Sequence, residues 1–140
     1  MCFLIIQLFS NGLLITSLGA SAFIAFGFPK AESSRLRHLL GGYACGSICG
    51  VVFGLLMVYV CSINGIADMF PYMIVFSVLA VFLTSFLMMA FDMQHPPAAA
   101  LSISLVIDGT PIVTALIAMV AIALICLLRY GFLRAFGKKL

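Results

Sequence analysis

The residues best suited to chemistry stand close together, at Asp92 and at His95-Pro96-Pro97. An imidazole can donate a hydrogen bond to an anion or carry a proton near neutral pH. If helix continues through this stretch, Asp92 lies one turn before His95, and the two form a proton relay. The plainer alternative has His95 satisfying backbone carbonyls freed by the prolines and Asp92 marking a helix end at an interface. Pro96-Pro97 should break a helix near Gln94, because proline lacks an N–H and clashes with the preceding turn. A helix restarting after it would present unpaired N–H groups and a partial positive charge, which together bind small anions without a lysine.

A second stretch of similar layout lies near the start. Gly19-Ala20-Ser21-Ala22 precedes a short apolar run, then Gly27 and Pro29; Pro97-Ala98-Ala99-Ala100 precedes the run to Ile107, then Gly109 and Pro111. Read as small-residue break, short helix, glycine, proline and full helix, the two form an inverted repeat whose short helices meet near the midplane, a plan known from transporters. The expected substrate site is then Gly19, Ala20, Ser21, His95, Pro96, Pro97, Ala98 and Ala99, at two converging helix N-termini.

Composition defines the elements that must position these residues. Of 140 residues, 65% are apolar and 8% charged, against roughly 25% charged in a soluble domain. Residues 1–29, 38–67, 69–91 and 109–128 contain no Asp, Glu, Lys or Arg, and a spanning helix needs about 20 mostly apolar residues. Disordered chains, nucleic-acid binders and soluble enzymes are excluded by the lack of polar surface. A membrane β-barrel is excluded because its strands alternate in polarity. The chain reads as one all-α, polytopic membrane domain over residues 1–140, with the lipid bilayer as its principal partner. About four longer helices and two short re-entrant ones are expected: residues 1–27 as a clipped first helix plus a short one, spans at 38–61, 70–91 and 111–130, and a short helix at 98–107.

Every Lys and Arg lies in 29–38 or in the tail from Arg129. By the positive-inside rule the 29–38 loop and the C-terminus are cytoplasmic, which suits a multi-pass inner-membrane protein. The apolar start resembles a signal peptide but lacks a basic leader and continues apolar past Ala22, so it reads as mature structure. Ser77, Thr84, Ser85 and the methionines read as backbone-bonded or packing residues. His38, with Arg35 and Arg37, marks the headgroup level.

Five cysteines (Cys2, Cys45, Cys49, Cys61, Cys126) show no paired spacing. They read as packing residues, with no metal, cofactor or disulfide. No nucleophile or metal set accompanies Asp92 and His95, so the chain does not read as an enzyme. Gly42, Gly46, Gly50 and Gly54 recur every four residues and let another backbone approach closely. This ridge serves either packing within the chain or the seam of a homodimer.

Gln94-His95-Pro96-Pro97-Ala98, taken with Gly19-Ala20-Ser21-Ala22 and Gly41-Gly42-Tyr43, resembles the HPP family of integral membrane proteins from about Leu14 to Leu128. The resemblance implies a small polytopic fold and, through plastid and cyanobacterial members linked to nitrite transport, a small-anion transporter or channel. Ala98 and Ala99 replace glycines common in the family, the N-terminal helix looks short, and the nucleotide-sensing domain of some members does not lie within these 140 residues. The alternative is a non-transporting membrane subunit that docks a partner through its glycine ridge.

Overall fold

A computed structural model describes the backbone of residues 2–66, 68–108 and 111–136, and the side chains of 12–66, 68–108 and 111–134. Lys138 and Lys139, and the side chains of the expected first-helix remnant at residues 1–10, lie outside the described residues. Five α-helices follow in order: α1 Cys2–Gly27, α2 Leu36–Ile63, α3 Phe70–Ala90, α4 Pro96–Ile107 and α5 Pro111–Phe136, with a 3-10 turn at Glu32–Ser34 between α1 and α2. No strand occurs among the described residues. Leu36–Ile63, Phe70–Ala90 and Pro111–Arg134 are long and apolar enough to cross a membrane. Their outer faces carry bare hydrocarbon such as Ile48, Phe82, Leu116 and Leu127, as expected where lipid is the solvent.

α4 is the short central helix, and α2 holds it in parallel register. A Cβ on Gly42 would lie 2.7 Å from the His95 Cβ, one on Gly50 2.8 Å from the Leu105 Cβ, and one on Gly54 2.9 Å from the Leu105 carbonyl oxygen, while one on Gly46 would collide with the Ala98 carbonyl. The glycine ridge is therefore spent on α4 of the same chain, the first of the two uses read for it from the sequence. Without hydrophobic drive in lipid, this close approach of backbones is what holds the pair. Leu101 and Leu105 of α4, Leu39 and Tyr43 of α2, and Ala118 and Ile122 of α5 form the centre of the core.

The break before α4 has a different construction from the expected one. α3 ends at Ala90 because Asp92 takes φ 53°. The Asp92 N–H then reaches the Met89 carbonyl (3.3 Å) and the Met93 N–H the Met88 carbonyl (2.9 Å), which is the paired closure of a Schellman cap. Gly65, at φ 62°, ends α2 in the same way, with Ile66 N–H on the Cys61 carbonyl. α4 begins at Pro96 itself, two residues before the expected start, since prolines in a first turn give up no helical bond. The break lies beside Gly42, six residues or about 9 Å along α2, a helix of about 42 Å.

Near Gly19-Ala20-Ser21-Ala22 no break exists: α1 runs unbroken from Cys2 to Gly27. Small residues remove side-chain packing, but none of them removes a backbone donor as proline does, so the helix passes through. Lacking a first short helix, the chain shows neither the expected inverted repeat nor two converging helix N-termini.

Arg129 of α5 donates to the Pro29 carbonyl (3.0 Å) and to Ser34 Oγ (3.1 Å), and Arg37 donates to the Phe91 carbonyl (2.8 Å). The end of α1, the start of α2, the α3–α4 break and the last turns of α5 thus gather at one basic end. At the other elbow, between α4 and α5, Thr114 donates to a carboxylate oxygen of buried Asp108.

Candidate functional site

His95 is the N-cap of α4, in extended conformation (φ −142°, ψ 91°), and its side chain is fully buried. Its Nδ1–H donates to the Ser33 carbonyl at 3.1 Å, and its Nε2 lies 2.8 Å from Ser21 Oγ. Ser21 Oγ is also 2.9 Å from the Tyr43 hydroxyl, which is 2.8 Å from Ser17 Oγ, and Ser17 donates to the Pro97 carbonyl at 2.7 Å. Helical spacing explains the cluster: Ser17 and Ser21 are four apart on one face of α1, and both are buried. Tyr43 reaches them from α2, its ring centroid 5.8 Å from that of His95. A continuous buried polar chain therefore joins α1, α2, the 3-10 turn and the start of α4.

Two clefts flank the break. One, of about 330 Å³, is lined by Ile24, Glu32, Ser33, His38, Gln94 and Pro96. The other, of about 290 Å³, lies between α3 and α4 and is lined by Ser85, Met88, Met89, Gln94, His95, Pro96 and Ala99. Both reach the residues beside His95, one from the α1–α2 side and one from the α3 side. His38 is buried, and its Nδ1–H donates to the Gln94 carbonyl at 3.2 Å.

Of the expected site residues, the structure brings together Ser21, His95, Pro97 and Ala98, with Pro96 and Ala99 on the cleft walls. Gly19 and Ala20 are exposed, and a Cβ on Gly19 would meet nothing within 4 Å, so both face away from the site. The Asp92–His95 relay does not form either. α3 has ended before Asp92, whose side chain is exposed, while His95 faces Ser21 and Ser33. The supply of N–H groups at the start of α4 is thin, because Pro96 and Pro97 have none and the Ala98 N–H is taken by the His95 carbonyl at 2.9 Å. An anion here would have to be met by side chains.

The sequence did not point to Ser17 or Ser33, and it offered Tyr43 and Gln94 as motif residues without a place in the site. The four-residue spacing of Ser17 and Ser21 was an available signal; the partners across the fold were not. Ser77 and Thr84, expected to bond their own helix, are buried with hydroxyl oxygens that have no hydrogen-bond partner, as is Ser47. Cys49, Cys61 and Cys126 are buried free thiols and Cys45 a partly buried one. Among the described residues no cluster of three or more His, Cys, Asp or Glu is placed to hold a metal.

A family model described as HPP, transmembrane region, matches residues 1–135. No curated protein and no solved structure matches the chain.

Proposed function

The chain belongs to the HPP transmembrane family, and on that premise we propose that this multi-pass membrane protein is a transporter or channel for a small anion such as nitrite, working at the His-Pro-Pro break. The observation that carries the reading is the buried chain Ser17–Tyr43–Ser21–His95 behind two clefts at the basic end. Polar side chains within a membrane bundle are costly and mark pathways for ions and protons. The arginines gathered at that end favour the approach of an anion. Ser33, Ser85, Gln94 and His38 supply the polar groups on the cleft walls that would replace an anion's hydration shell.

The orientation that accompanies this reading puts the 29–38 loop and the last turns of α5 on the cytoplasmic side of an inner membrane, from the location of Arg35, Arg37, Arg129 and Arg134. The anion then enters or leaves the clefts from the cytoplasm. No step of covalent chemistry is assigned to the site. Docking of a partner through the glycine ridge loses its basis, since α4 covers that ridge.

Uptake into proteoliposomes tests the reading. Nitrite, or another small oxyanion of the same panel, should enter faster than into protein-free liposomes. A rate equal to the protein-free one for every oxyanion would reject it.

A further inference from the structure

The hydrogen bonds around His95 contain more contacts than protons. Six contacts link the group: Ser17 with the Pro97 carbonyl, Ser17 with Tyr43, Tyr43 with Ser21, Ser21 with the Ser17 carbonyl, Ser21 with His95 Nε2, and His95 Nδ1 with the Ser33 carbonyl. A carbonyl only accepts. Ser17 must therefore give its proton to Pro97, Tyr43 must give its own to Ser17, and Nδ1 must carry the proton given to Ser33. Ser21 is left with a single proton for three acceptors: Nε2, the Tyr43 oxygen and the Ser17 carbonyl. The other neutral tautomer, with the proton on Nε2, sets a bare Nδ1 against the Ser33 oxygen. One added proton cuts the shortfall from two protons to one. With Nε2–H donating to Ser21 Oγ, the Ser21 proton turns to the Tyr43 and Ser17 oxygens, which can share it.

We propose that His95 Nε2, held against Ser21, is a proton-loading site, and that the anion and this proton bind together, so that the protein is a proton–anion symporter. The inference rests on the transport reading above. The proton comes from solution and occupies the Nε2 lone pair, no other bond forms or breaks, and the anion in the α3–α4 cleft balances the imidazolium. No carboxylate takes that role. Among the described side chains, α1 brings Ser17 and Ser21 to the group, and α3 brings Ser85, Met88 and Met89. The 3-10 turn brings the Ser33 carbonyl and exposed Glu32. α2 brings Tyr43, His38, which is engaged with Gln94, and Arg37, which is engaged with Phe91; Asp92 of the break is exposed, and α5 places Arg129 on Pro29 and Ser34.

The chain has two histidines, so nitrogen NMR of ¹⁵N-histidine-labelled protein in nanodiscs sees two imidazoles, and His38→Gln assigns them. Adding nitrite near neutral pH should move the His95 Nε2 signal from bare to protonated nitrogen. The nitrite Kd should weaken by about tenfold per pH unit on the alkaline side, as coupling to one proton requires. Ser21→Ala should flatten that slope and Ser21→Thr should restore it. Nitrite binding with a pH-independent Kd and an unmoved Nε2 signal overturns the inference and leaves transport standing. Absence of binding by nitrite and by every other oxyanion, in a protein that gives both histidine signals, overturns the transport reading and the inference with it.

Discussion

The His95 ring has fixed neighbours on both nitrogens, Ser33 on one and Ser21 on the other, so its orientation is settled before any ligand arrives. Tyr43→Phe keeps the ring against His95 but removes the donor to Ser17 and an acceptor of Ser21. Loss of buried hydrogen bonds of this kind costs about 1–3 kcal/mol, which a lower Tm in detergent would show. Asp92→Asn should leave uptake within about twofold of the unaltered protein, because its side chain is exposed and exposed substitutions change little; a large loss would restore the relay. His95 could be singled out from sequence because an imidazole between a long apolar run and two prolines has few other uses. Its partners could not be: Ser17 bonds a carbonyl 80 positions away and Ser21 a ring 74 positions away. The Asp92–His95 pairing failed for a local reason, since a non-glycine residue at positive φ ends a helix without the usual glycine to announce it.

The interface between α2 and α4 is made from backbone. Gly50→Leu would drive a side chain into Leu105 and Ser102, and Gly46→Leu into the Ala98 carbonyl. Overpacking of this sort costs about 1–3 kcal/mol or more. Gly19→Leu, on the same scale of added volume, should melt within a few degrees of the parent because nothing lies near it. Thermal melts of the three variants check the contrast; a Gly50→Leu protein as stable as the parent would mean that α4 does not pack as described. The four-residue glycine spacing was readable, and so was the presence of three long apolar helices, α2, α3 and α5. The repeat was not, because small residues alone do not decide whether a helix breaks. α1 continues through Gly19 to Ala22, whereas α4 is set off by a Schellman cap and two prolines.

Across the described residues, apolar side chains face outward and the arginines collect at one end, as the long charge-free runs and the clustering of Lys and Arg in the sequence led one to expect. Only the packed structure shows that the polar break lies about 9 Å along α2 from its basic end, where both clefts adjoin it. The proposed orientation has its own test: a cysteine placed at Glu32 should react with a membrane-impermeant maleimide in inverted vesicles only, and one placed at Asn64 in intact cells only. The reverse pattern would turn the clefts outward. The most direct measurement is the initial rate of nitrite uptake into proteoliposomes that contain equal amounts of folded unaltered or His95→Gln protein. A site centred on His95 predicts a loss of at least about tenfold, the equivalent of ~1.4 kcal/mol of barrier, while the variant remains helical and inserted; equal rates for the two proteins would contradict it.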